Sequence, residues 1–296
     1  MTAVFLSFSG AFGDGFDASA HENEVLEWRA WRLEQLKKPA GFLNQTGLFW
    51  LKPGSYRFGS ASGNDLLFGA RAAPEIGIFE VTDSGVRMIV HDGIDVQSDG
   101  IAVTDMMIPA DTSGEDVMIS HGSLAWTVIE REGRFAVRLR DFEHPFVESF
   151  GPLPYFDIDP SLRVLATLRR YEEPRIANVG TVIEGLDYNP ESPGVVEFEI
   201  GGVSYELEAY SVSGQLYFVF GDLTNRNDTY GAGRFLYAAV PAEDGLTVMD
   251  FNKAYSPPCA FNDFSTCPVA SPRNRLPIRI EAGEKYDSSL HYAPEH

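Results

Sequence analysis

Asp250, Glu284 and Cys259 are the side chains of this sequence whose types and setting would do chemistry. A pair of carboxylates supplies general acid and general base. A cysteine thiolate attacks as a nucleophile when a base stands near it, and His91, His121 and His144 are the bases a fold would bring in. Around them stand groups suited to holding a polar substrate: Tyr230, Arg234, Asn252, Tyr255, Asn274 and Arg275. Arg234 opens an otherwise apolar stretch, where a guanidinium needs an acidic or ligand partner, so it is expected to clamp an anionic group. Asp250 and Asn252, two apart, share one face of an extended chain. There they bind a polar ligand or cap neighbouring backbone turns. Glu284 beside Lys285 is an ordinary surface pair unless it meets Arg234 or Arg275.

All of these lie in one block, residues 222–285, dense in turn formers and rigid prolines, which also holds both cysteines of the chain. Its first segment, DLTNRNDTYGAGR, is neither a dinucleotide fingerprint nor a phosphate loop. Its plain reading is a polar turn between strands at 216–220 and 234–240, with Gly231 and Gly233 allowing close backbone approach. Cys259 and Cys267 have seven residues between them, which is neither paired zinc-ligand spacing nor the C-x-x-C redox motif. No metal and no cofactor is expected. The cysteines read first as buried thiols or a disulfide, then as a catalytic thiol.

The elements that must position these groups read as mainly β. Tight turns at Asp83-Ser84-Gly85, Glu132-Gly133, Gly201-Gly202 and Ser213-Gly214 separate runs of alternating or apolar residues, as in antiparallel hairpins. A helix is expected over about 22–38, its apolar face drawn from Leu26, Ala30, Leu33 and Leu36, with Pro39 and Gly41 ending it. No βαβ alternation occurs, which excludes a doubly wound dinucleotide fold. The Pro- and Gly-rich stretch GPLPYFDIDP marks a boundary. The expected division is a flexible N-terminus over 1–21, a helix plus first β unit over 22–155, and a second β unit over 156–296. Both β units are expected to be antiparallel and sandwich- or barrel-like.

Charge narrows the partners. The chain has 43 Asp and Glu against 23 Lys and Arg, a net charge of −20, and lysine stands only at 37, 38, 52, 253 and 285. No basic patch is visible for nucleic acid. Such a surface suits concentrated salt, where screening removes the self-repulsion, so a halophilic origin is expected. No apolar run reaches the length of a membrane span. The opening MTAVFLSFSGAFGDGF has no Lys or Arg ahead of its apolar patch, so a cytoplasmic location is expected rather than export.

Two resemblances stand on particular residues. Ser55 to Gly69 is loosely similar to the opening of a forkhead-associated β-sandwich, but Ser60 follows the glycine where that fold carries arginine, so phosphopeptide binding is not expected. More specific is the ordered series Thr229-Tyr230-Gly231-Ala232-Gly233-Arg234, Asp250-Phe251-Asn252, Pro257-Pro258-Cys259-Ala260, Cys267-Pro268, Asn274-Arg275-Leu276-Pro277 and Ala282-Gly283-Glu284-Lys285. It resembles the domain of unknown function 1684 family (DUF1684). Trp28, Trp31, Arg32 and the stretch GFLNQTGLFWL extend the likeness toward the front of the chain. Ser256 and Ser271-Pro272-Arg273 depart from the family pattern. The resemblance implies no activity. Two functions remain open: a small-molecule site, binding or catalytic, built by the block, or a non-enzymatic interaction module in which the block is a rigid cap.

Overall fold

The computed structural model describes residues 16–292. The opening stretch read above for a leader therefore lies outside the described residues up to position 15. The N-terminal helix runs from Ala18 to Lys37. Asp17 caps it, its side chain accepting from the Ser19 and Ala20 N–H groups at 2.9 and 3.1 Å. The helix thus begins inside the segment expected to be flexible.

Two compact units emerge. One gathers Leu36–Gly151, Phe261–Ser265 and residues 290–292; the other gathers residues 16–35, Pro152–Ala260 and Thr266–Ser289. The helix, through Gln35, groups with the second β unit and not with the first, against the division expected from the linear order.

The first unit contains a six-stranded sheet and a five-stranded sheet. The six-stranded sheet is centred on Leu124–Arg131 and Arg134–Asp141; the five-stranded one on Gly54–Gly59, Gly77–Thr82 and Gly85–Val90. Trp126 from one sheet meets Phe58 from the other edge-on at 5.8 Å, and Phe58 stacks on Phe79 at 4.1 Å. This aromatic centre, buried with Val128, Val137, Leu139 and Met88, forms the core of a sandwich. In the Ser55–Gly69 stretch, Gly54–Gly59 pairs with Leu66–Leu67 in parallel, not as a hairpin.

The second unit carries a two-stranded sheet, Val179–Gly180 with Asp187–Tyr188, and a six-stranded sheet in the order Arg234–Ala239, Gln215–Phe220, Val203–Val212, Glu191–Ile200, Arg163–Ile176, Leu246–Asp250. Its two outermost strands approach each other, the Thr247 hydroxyl donating to the Ala239 carbonyl at 2.8 Å, so the sheet curls toward a barrel. Alternate residues point inward: Val164, Ala166 and Leu168; Val196 and Phe198; Leu216, Phe218 and Phe220. The opposite face carries Tyr217, Val219 and Phe235, which pack with Cys259, Cys267 and Ala270.

Four of the hairpins among the described residues turn on Asp99-Gly100, Glu132-Gly133, Gly201-Gly202 and Ser213-Gly214. Each pair has positive φ at both positions, the twist-matched turn that favours glycine.

Candidate functional site

Residues 221–233 join two directly paired strands, with Phe220 opposite Arg234. The connecting loop holds itself together. Asn225 accepts from the Asp222 N–H at 2.8 Å and donates to Thr229 Oγ1 at 2.9 Å, while the Thr224 and Thr229 hydroxyls meet at 2.8 Å. Asp222 Oδ1 accepts from the Thr224 N–H at 2.7 Å, which leaves Oδ2 free to face Arg234. Arg234 is 0% exposed. Its Nη2 donates to Asp222 Oδ2 at 2.7 Å and to the Ile280 carbonyl at 2.8 Å, and its Nη1 donates to the Ala282 carbonyl. Burial pulls this guanidinium's pKa down and the Asp222 charge opposes it. The expected anion clamp is thus a buried internal ion pair, and the acidic partner is Asp222.

Asp250 and Asn252 do not share an extended face. Asp250 ends its strand and caps the short 3-10 turn Phe251–Lys253 by accepting from the Asn252 N–H at 3.1 Å. Asn252, fully buried, donates to the Asp159 carbonyl and accepts from the Asp159 N–H, both at 2.8 Å. The other Asp250 oxygen lies 2.8 Å from His21 Nε2 on the N-terminal helix.

Glu284 is likewise 0% exposed. It meets neither Arg234 nor Arg275. Oε1 accepts from Arg32 Nε at 3.0 Å, and Oε2 accepts from the Ser256 N–H at 2.8 Å. Arg32 also donates to the Ser256 carbonyl at 3.0 Å and lies 4.5 Å over the Tyr255 ring. One turn earlier, Arg29 covers the Tyr155 ring at 4.2 Å and donates to the Phe156 carbonyl. Burial, then the Glu284 charge, pushes the Tyr155 hydroxyl well above its usual pKa. Burial and neighbouring Tyr237 do the same to Tyr255.

The backbone around Glu284 needs its glycine. A Cβ on Gly283, at φ +80°, would stand 2.4 Å from the Ala254 carbonyl oxygen. That approach lets the Glu284 N–H reach the same carbonyl at 2.8 Å.

Asn274 and Arg275 part company. Asn274 is buried and staples two strands: it accepts from the Glu208 N–H at 2.8 Å and donates to the Glu208 and Val219 carbonyls at 3.0 and 3.1 Å. Asn274→Ala strips partners from three buried backbone groups. The expected loss of stability is about 3 kcal/mol, read as a lowered midpoint in urea unfolding. Arg275 is exposed, its guanidinium lying over Gly221.

Cys259 and Cys267 are not joined in a disulfide; each is 5% exposed, in the apolar cluster on the outer sheet face. Tyr230 borders them, half-buried. Burial first, then the Cys259 sulfur, raises the pKa of its hydroxyl. A surface cavity of about 610 Å³ opens elsewhere in this unit, between Thr167, Leu168 and Arg170 and the 241–245 turn, and none of the candidate residues lines it.

The residues that sequence reasoning missed are His21, Arg29, Arg32 and Tyr155. The first three fall with Val25 at helical spacing on the side of the helix turned inward. Leu26, assigned to the apolar face, is 49% exposed. The signal was present as a polar stripe of helical period, but periodicity keyed to apolar residues passes over it.

Fold and site together define a class: a mainly β protein whose helix-bearing unit is braced by buried ion pairs. The chain belongs to the DUF1684 family, described as protein of unknown function, whose model matches residues 148–285. That match spans every candidate site residue and leaves out the front half, to which the sequence resemblance was extended. An uncharacterized protein of Haloarcula marismortui, solved by solution NMR, is 31% identical over 47% of this chain and 79% of that one, with a TM-score of 0.40. No curated protein matches the chain. Among the described residues, no helix is long and apolar enough to cross a membrane.

Proposed function

We propose that the 222–285 block is a structural clasp and that the protein acts as a non-enzymatic β module. One observation carries this reading: Arg234, Asp250, Asn252, Asn274 and Glu284 are buried, and each hydrogen-bonds other groups of the chain, with only the Arg234 Nε left without a partner among these side chains. A general acid or base has to reach a substrate proton, and a clamp has to face its anion. Here the acceptors of the two carboxylates are taken up by His21, Asn252, Arg32 and a backbone N–H.

A second reading has its own support. Arg226, Arg273 and Arg275 are exposed and form no ion pair among the described residues, although the chain is strongly acidic. A small anionic ligand at the rim of the block, held by Arg275, would use them. Native mass spectrometry, with inorganic phosphate titrated into the intact protein, separates the two. The clasp reading expects the mass of the chain alone and the same weak phosphate adducts in wild type and Arg275→Ala. A stoichiometric adduct lost in Arg275→Ala would establish the rim site instead.

A cytoplasmic, salt-adapted setting belongs to the same proposal. It is supported by the net charge of −20 and by two cysteines that are not joined in a disulfide. Raising potassium chloride from tens of millimolar to molar is expected to raise the thermal midpoint by several degrees, through screening of like charge. An unchanged or lowered midpoint would remove the salt-adapted reading.

A further inference from the structure

We propose that Cys259 and Cys267 form a reversible dithiol–disulfide pair, a modification site at the stem of the loop between them. The Cys259 N–H donates to Cys267 Sγ at 3.1 Å. Adding one N–Cα bond places that sulfur at most about 4.6 Å from the Cys259 Cα. Disulfides join Cα atoms about 4.4–6.8 Å apart, so a sulfur this near the Cys259 backbone lies within reach of a cross-link. Both side chains enter one apolar cluster, with Tyr217, Phe235 and Ala270.

The surroundings hold the pair in place. Pro257-Pro258 stands just before Cys259 and Pro268 just after Cys267, which restricts the backbone on both sides of the stem. The Thr181 backbone bridges to Pro268, and the Cys267 carbonyl accepts from the Val182 N–H at 2.9 Å. The cysteines themselves group with the helix-bearing unit, while Phe261–Ser265 between them group with the sandwich. A cross-link at the stem therefore closes a loop of seven residues, 260–266, and restrains that segment.

The chemistry needs a two-electron oxidant, and a hydroperoxide serves. One thiol gives up its proton and the thiolate attacks the peroxide: an S–O bond forms, the O–O bond breaks, and the expelled hydroxide or alkoxide takes that proton and leaves as water or an alcohol. The second thiol then attacks the sulfenic sulfur: the S–S bond forms, the S–O bond breaks, and water leaves. Both electrons end on the peroxide, and a dithiol reductant reverses the step.

The test uses the full-length wild-type chain, reduced, freed of reductant, treated with stoichiometric hydrogen peroxide, then denatured and alkylated. The expected product is a monomer lighter by about 2 Da that takes up no alkylating reagent, gives a cross-linked peptide pair containing both cysteines, and recovers two reactive thiols with dithiothreitol. Two thiols still alkylated after peroxide would overturn the proposal. So would separate sulfinic acids on each cysteine, or a disulfide-linked dimer.

Discussion

Glu284→Ala will destabilise the helix-bearing unit by about 3–5 kcal/mol, the cost of leaving a buried charge without its partner. The Arg32 side chain is 9% exposed and the Glu284 side chain 0%, so water does not replace the lost carboxylate. The Ser256 N–H loses its acceptor in the same change. Because Arg32 and the His21–Asp250 contact are what the helix presents inward, the loss should be local as well as global. Amide exchange within Ala18–Lys37 is expected to quicken more than exchange in the central strands. Glu284→Gln sharpens the comparison. A catalytic carboxylate would tolerate the amide structurally and lose only activity, whereas a clasp loses stability with it, measured by urea unfolding.

Arg234→Met is the second large effect, again about 3–5 kcal/mol, because it strands the Asp222 carboxylate in a site that is 0% exposed on both partners. Methionine keeps much of the apolar stem that packs near Phe220, so the loss reports the guanidinium rather than a cavity. The Ile280 and Ala282 carbonyls lose a donor together with Asp222. An arginine kept to clamp an external anion would behave differently: the variant would fold normally and fail only to bind. Circular dichroism through a urea titration distinguishes the two outcomes.

The turns were legible because their chemistry is local. Gly201-Gly202, Ser213-Gly214 and Glu132-Gly133 adopt positive φ at both positions, and few other dipeptides do so cheaply. From these turns the antiparallel, mainly β architecture followed. The place of the block was legible too, since rigid prolines, glycines and amide side chains crowd together where a chain must hold an irregular path. The plain reading of 222–233 as a turn between strands describes what is found.

The partners inside the block were not legible. Arg32 and Glu284 are 252 positions apart, and His21 and Asp250 are 229 apart, so no spacing rule links them. The helix misled for a related reason. Apolar periodicity assumes that a helix packs on an apolar floor, and this one packs His21 and Arg32 against carboxylates. Asn274 was placed correctly among the polar residues of the block, but its side chain serves the Glu208 and Val219 backbone rather than a ligand. Buried amides and buried ion pairs look the same in sequence as binding residues, because both require polar groups in an otherwise constrained setting.

The most direct test is a double-mutant cycle on the Asp222–Arg234 pair: wild type, Asp222→Leu, Arg234→Met and the double variant, each unfolded in urea at one salt concentration. If the block is a clasp, each single change is costly and the double variant recovers part of the loss, with a coupling of about 2 kcal/mol or more. Coupling below about 0.5 kcal/mol, with Arg234→Met as stable as wild type, would show that the guanidinium is kept for a partner outside the chain and would contradict the clasp.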